Sequence, residues 1–262
     1  MSKRKILVGI FATIIVAVVF FIIVVRQHYV LPVLMYHSVS PKATAENRLN
    51  VSVATFERQM LFLKEHRYNV LPLGSLVDLI KNKKKIPPSS VVITFDDGYR
   101  NNFDYAFPIL KKYKFPATIF IIVREVGRSQ ADRLNWKEIK IMSVSRLISF
   151  GSHGIGPDPL TKIESEEDLR KEICDSKKIL EEKLGRKITL FSYPEGRFND
   201  KIRGLVIACG YELAVATNPG RNYPDNDIFA LRRLRISESS KNPFIFWFKV
   251  SGFHTFLKEK RN

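Results

Sequence analysis

The sequence predicts an α/β fold built on a parallel sheet, on three observations. Short apolar runs rich in β-branched and aromatic residues alternate with longer amphipathic stretches along most of the chain. The 262 residues, 45% of them hydrophobic, suit one domain of barrel size plus an appendage. No internal repeat, low-complexity linker or second boundary divides that domain. In order, Val30–Tyr36 reads as a strand, Phe56–His66 as a helix, Tyr68–Leu71 as a strand and Leu73–Lys81 as a helix. Val91–Phe95 is a β-branched and aromatic run that suits a buried strand. Helix Tyr105–Lys112 and strand Ala117–Val123 follow, then a short strand at Leu147–Phe150 and a long helix over Glu164–Leu184. Thr189–Tyr193 reads as a strand, Asp200–Cys209 as a helix, and Glu212–Ala216 and Phe229–Ile236 as strands before an aromatic helix, Pro243–Leu257. Repeated βα units join parallel strands through right-handed crossovers.

The appendage comes first. Ile6–Val25 is apolar and uncharged, just long enough at helical rise to cross a bilayer. Lys3-Arg4-Lys5 precedes it and Arg26 follows, which favours a cytoplasmic N-terminus with the large domain on the far side. A cleaved signal peptide is the alternative, but the stretch is long for one and ends in Val24-Val25-Arg26 rather than small residues. The expectation is an uncleaved single-pass transmembrane helix within residues 1–26 and one domain over 27–262.

The net charge of +17 includes the four cations of residues 1–26, which carry no acid, so +13 remains on the rest. Such a balance favours anionic surroundings: phospholipid headgroups, acidic glycans or teichoic-type polymers. Nucleic acid suits the charge but not the expected location. Part of the charge sits in surface runs such as Lys81-Asn82-Lys83-Lys84-Lys85. The two cysteines, Cys174 and Cys209, fit a disulfide or two buried thiols, and no Cys-x-x-Cys metal site exists.

The chemistry-bearing feature is Thr94-Phe95-Asp96-Asp97-Gly98, adjacent carboxylates where a strand ends. In parallel α/β sheets that edge gathers catalytic groups. Two close like charges repel, and a divalent cation on one would leave the other free as a base. The plainer reading is a solvated Asp-Gly turn.

Ile93–Tyr99, Pro108-Ile109-Leu110 and Pro116–Phe120 resemble the first motif region of the polysaccharide deacetylases, carbohydrate esterases with a NodB-like domain. Gly151-Ser152-His153 and Phe191–Gly196 resemble the later motifs in the family's order, so the likeness runs from about Leu31 to Ile236. It implies a distorted (β/α) barrel of about seven strands rather than an open sheet. It also implies a hydrolase removing N-acetyl groups from a glycan containing N-acetylglucosamine, outside the cytoplasm. An O-acetyl esterase and a catalytically weakened glycan-binding scaffold are the alternatives.

By the same resemblance Asp96 is the general base and Asp97 a ligand of a divalent metal, most often zinc, with cobalt, manganese, nickel or iron as alternatives. His153 is a second ligand. The family's usual spacing puts its second histidine at Pro157; a longer spacing, as in the branch acting on poly-N-acetylglucosamine, brings Asp158 into register. Asp158 is therefore a candidate third ligand or a turn cap between prolines. The Glu195 backbone N–H, after Pro194, matches the donor to the oxyanion. Ser192 stands where the arginine that steadies the base is usual, leaving Arg232 or Arg233 to substitute. The C-terminal acid motif is missing, and His37, after the first strand, is the candidate general acid. Tyr193, Pro194, Arg232 and Trp136 are candidates for substrate contact. The expected partners are an acetylated polysaccharide and, through the N-terminal helix, a membrane; the sequence names no protein partner. The aromatic run Phe244–Phe248 suits core packing or contact with a membrane surface.

Overall fold

The computed structural model describes residues 10–16, 19–20, 30–128, 130, 132–217 and 227–252. Strand β1 (Val33–Tyr36) is followed by β2 (Ser38–Ser40), β3 (Asn50–Ser52), helix α1 (Val53–Glu65), β4 (Asn69–Val70), α2 (Ser75–Lys81) and β5 (Ser90–Phe95). A π-helical turn at Asn102–Ala106 leads into α3 (Phe107–Tyr113), then β6 (Ala117–Ile121), α4 (Trp136–Val144) and β7 (Ile148–Ser152). Next are α5 (Glu166–Arg170), a second π-helical turn at Lys171–Asp175, α6 (Ser176–Leu184), β8 (Leu190–Ser192), α7 (Asp200–Ala208) and β9 (Leu213–Ala216). The two-residue strands β10 (Leu231–Arg232) and β11 (Leu234–Arg235) and helix α8 (Pro243–Val250) complete the order.

Every pairing between these strands is parallel. The sheet runs β10-β9-β8-β7-β6-β5-β1-β11, with β4 added against the start of β5. β10 lies on β9 and β11 lies on β1, yet Arg233 alone separates β10 from β11 in the chain. The two edges of the sheet are thus brought together, giving a nearly closed barrel with an eight-strand path where about seven strands were expected. The expected strand Phe229–Ile236 is the pair β10 and β11, broken where the chain steps from one edge to the other. The small parallel pair β2–β3 and helix α4 have no counterpart among the expected elements.

Strand alternation divides the core in two. Val33, Val92, Phe120, Leu190, Leu213, Val215 and Leu231 form one apolar cluster, joined by Leu73 and by Leu76 of α2. Residues of opposite phase, such as Leu34, Tyr36, Ile93, Phe95, Phe191 and Ala214, form the larger cluster with the helices. There the Tyr36 ring lies 5.2 Å from Phe56 and 5.4 Å from Phe95, and burying each of these rings contributes roughly 1.5–3 kcal/mol. Gly151 has its place because a Cβ there would stand 2.5 Å from the Phe120 ring and 2.8 Å from the Leu190 carbonyl oxygen.

Cys174 and Cys209 form a disulfide joining the second π-helical turn to the end of α7, which decides between the two readings of the cysteines. Of the candidate anchor, residues 10–16 are helical with exposed side chains, and residues 1–9, 17–18 and 21–29 lie outside the described residues. Among the described residues no helix is long and apolar enough to cross a membrane.

Candidate active site

Strand β5 ends at Phe95, so Asp96 and Asp97 stand at the edge of the barrel where strands finish. Asp96 keeps the inward phase of Thr94 and is buried; its N–H donates to the Tyr36 carbonyl at 3.0 Å. Asp97 turns into the left-handed region, at φ 68°, a conformation costly for a residue with a Cβ. That turn presents adjacent residues to one centre instead of to opposite faces.

Asp96 has a dedicated partner. Arg233, itself buried at the β10–β11 step, donates from Nη1 to Oδ1 at 2.7 Å and from Nη2 to Oδ2 at 2.6 Å. Nη2 also donates to Ser192 Oγ at 2.9 Å, and Nη1 approaches Thr94 Oγ1 at 3.3 Å. Burial opposes ionisation of Asp96, but the charges of Arg233, His153 and His37 and the Arg233 hydrogen bonds outweigh it. They hold the carboxyl well below the usual range. Of the two arginines left to substitute at Ser192, Arg233 at the barrel seam is the one that reaches Asp96, and Ser192 helps to seat it. Arg232, of opposite phase on β10, is half-buried and is not the residue that clamps Asp96.

His153 follows β7, and its N–H donates to the Ile121 carbonyl. Its Nδ1 lies 2.7 Å from the Ser192 carbonyl oxygen, an acceptor only, so Nδ1 carries the hydrogen. In the neutral ring Nε2 then offers its lone pair toward Asp97 Oδ1 at 3.5 Å, with Asp96 Oδ2 at 4.0 Å. Two donors sharing a tetrahedral cation at about 2.0–2.1 Å stand about 3.3–3.5 Å apart, so Asp97 and His153 fit that task.

Asp158 does not join them. It is exposed, and among the described residues no three His, Cys, Asp or Glu side chains converge on a metal position. The loop's backbone is bound elsewhere: Glu172, in the second π-helical turn, accepts from the N–H groups of Ile155 and Gly156, both at 2.9 Å, and pairs with Arg124 at 3.5 Å. Beyond that brace Pro157 and Asp158 face outward.

His37 sits between β1 and β2, buried, with Nδ1 lacking a hydrogen-bond partner. Burial lowers its pKa; the Asp96 and Asp97 carboxylates oppose that shift, while Arg233 and His153 add to it. Asn101, on the loop after Asp97, accepts from the Val39 N–H at 3.2 Å and donates to Ser38 Oγ at 2.7 Å, locking the strand after His37 to the carboxylate loop.

The Pro194–Gly196 turn follows β8, with Glu195 at φ 55°. Its two hydrogen bonds use the N–H groups of Gly196 and Arg197, not that of Glu195, whose side chain lies 3.4 Å from Arg197. Tyr193 is buried, stacks on Phe198 at 4.2 Å, and its hydroxyl donates to the Phe229 carbonyl at 3.0 Å. Trp136, the first residue of α4, is half-buried and packs against the outer core.

Arg233 is the partner of Asp96 that the sequence leaves open between two arginines. Its signal is phase: two positions after Leu231, which faces the barrel interior, a strand residue faces inward too.

Residues 83–214 match the sequence profile of the polysaccharide deacetylases. The Bacillus subtilis protein YxkH is 35% identical over 207 residues, covering 79% of this chain and 71% of that one. A poly-β-1,6-N-acetyl-D-glucosamine N-deacetylase of Staphylococcus aureus is 31% identical over 215 residues, covering 78% and 73%. Among solved structures, the Streptococcus pyogenes deacetylase PplD, in complex with acetate, superposes with a TM-score of 0.71 at 30% identity, covering 80% of this chain and 93% of its own. IcaB from Ammonifex degensii gives 0.73 at 27% identity, covering 84% and 97%.

Proposed function

Because the chain belongs to the polysaccharide deacetylase family, we propose that it removes N-acetyl groups from a glycan containing N-acetylglucosamine, outside the cytoplasm. The observation that carries this reading is the division of labour between the adjacent carboxylates. Asp96 is clamped on both oxygens by Arg233, whereas Asp97 faces the free nitrogen of His153 at 3.5 Å. The activity of the Staphylococcus aureus relative, which this chain covers to 73%, supports the substrate class.

Asp97 and His153 would hold a divalent cation, zinc first by donor type. When bound, such a cation lowers the pKa of water and polarises the acetyl carbonyl. Asp96, kept ionised by Arg233, takes the proton of the attacking water, and the Glu195 N–H is the donor for the oxyanion. His37 hands a proton to the leaving amine. Over the turnover the proton that Asp96 takes from water balances the one that His37 gives to the amine, leaving acetate and a free amine.

The Cys174–Cys209 disulfide supports an oxidising compartment, and the apolar Ile6–Val25 behind Lys3-Arg4-Lys5 supports a membrane-anchored chain with its domain outside.

The test is acetate release by the purified full chain from β-1,6-linked N-acetylglucosamine oligomers, chitooligosaccharides, peptidoglycan and acetylated xylan, before and after chelation and zinc restoration. Release from the amide substrates, lost on chelation and restored by zinc, is expected. Release from xylan alone would make the protein an O-acetyl esterase, and release from none would leave the scaffold reading.

A further inference from the structure

Helix α8 carries an apolar face that the domain does not use. Phe246 and Val250 are buried against the outer core, with the Phe246 ring 5.7 Å from Phe62 of α1. On the other side Phe244 is 69% exposed, Ile245 41% and Trp247 40%, and Leu61 of α1 is 40% exposed. The helix Pro243–Val250 contains no acid. The exposed cations Lys64, Arg67, Arg235 and Lys241 lie at the end of α1, on β11 and before α8.

The direction of α8 follows from its contacts. Glu238 accepts from the Ser52 and Thr55 groups at the start of α1, Gln59 Nε2 donates to the Ser240 carbonyl further along, and Phe246 reaches Phe62 near the end. α8 therefore runs beside α1 toward the end of the barrel where strands begin, because α1 leads into β4, which pairs with the first residues of β5. The chain enters β1 at that same end. Only the residues between Arg26 and Val33 separate the apolar segment from the barrel, a span of at most about 25 Å when extended.

We propose that α8, with Leu61, lies on the surface of an anionic phospholipid bilayer, so that the domain rests on the membrane with its catalytic edge directed away. This rests on the anchored reading of Ile6–Val25, not on the reaction. An aromatic face with cationic surroundings suits the headgroup boundary, where rings enter the acyl edge and cations meet lipid phosphate. A second protein would have to supply both an apolar groove and anionic charge; an anionic bilayer supplies both.

Trp247 is the natural probe, since the chain has two tryptophans and the other is Trp136. The full chain carrying Trp136→Phe is reconstituted into vesicles of phosphatidylcholine with or without phosphatidylglycerol, with acyl chains brominated or not, and flotation is recorded beside fluorescence. On phosphatidylglycerol vesicles brominated chains should quench Trp247 at least about twofold, and Phe244→Lys with Ile245→Lys should abolish the quenching while flotation persists. Flotation without quenching overturns the proposal and leaves the anchor intact. Equal quenching on phosphatidylcholine alone overturns the anionic preference. A chain that does not float overturns the anchored reading and this proposal together.

Discussion

Replacing Arg233 with methionine keeps the aliphatic volume at the barrel seam and removes the guanidinium that holds Asp96. Two charge-assisted hydrogen bonds to Asp96 are lost, at 2.7 and 2.6 Å, with a third to Ser192 Oγ. Because Asp96 stays buried, the carboxylate is left uncompensated, and breaking a buried pair on one side costs about 3–5 kcal/mol. For a domain of this size that lowers the melting temperature by roughly 6–20 °C. The signature is coupling: Asp96→Asn with Arg233→Met should be more stable than Arg233→Met alone, since the neutral amide no longer needs the guanidinium. Activity gives a second readout. In the native protein Asp96 stays ionised through the accessible acid range; in Arg233→Met the largest opposition to burial is gone and the carboxyl rises. An acid limb of kcat/KM should then move upward in pH. Calorimetry of the three variants and pH–rate profiles decide. A loss below about 1 kcal/mol, with no coupling and no movement of the limb, would refute the buried clamp.

Asp96→Asn should retain zinc yet lose turnover, whereas Asp97→Asn and His153→Ala should lose both, as measured by isothermal titration beside acetate release. Asp158→Ala should change zinc affinity by less than tenfold, about 1.4 kcal/mol, because the residue points outward; a larger loss would return it to the site. His37 contributes to acid sensitivity. Its folded pKa lies below its unfolded value of about 6.5, so the unfolded chain binds more protons and stability falls as pH drops below that value. Denaturant midpoints of the chelated protein between about pH 5 and 7 should therefore slope less in His37→Gln, and equal slopes would dismiss the effect. Replacing Cys174 and Cys209 with serine should cost about 3–4 kcal/mol, read as a matching loss under reductant in the wild type.

Much of the barrel is legible in the sequence because each buried parallel strand is a local apolar run, and Val91–Phe95 differs from β5 by one residue. Other elements carry a local signal of a different kind. Helix α4 starts at a capping box in which Asn135 accepts from the Glu138 N–H and Glu138 accepts from the Asn135 N–H, a spacing visible in the chain. The pair β2–β3 had no such signal, being three residues long on each side. One π-helical turn opens onto α3 and another joins α5 to α6, features that hydrophobic periodicity does not reveal, and the second carries the Glu172 that braces the His153 loop.

The site divides in the same way. Asp96, Asp97 and His153 announce themselves as motifs at strand ends, where a parallel barrel gathers them. The partner of Asp96 does not, because Arg233 meets it across 137 residues through the closure of the sheet. Composition offers two arginines in succession, and only strand phase separates them: Leu231 faces the interior cluster, so Arg233 faces inward with it and Arg232 does not. An inward arginine would be intolerable in an apolar strand without a carboxylate to receive it, and a carboxylate buried as Asp96 is would favour its protonated form without an arginine. Each makes the other admissible. Loss of the usual arginine beside Ser192 is therefore not by itself a sign of a failed catalytic centre, since the seam supplies the same charge from another strand.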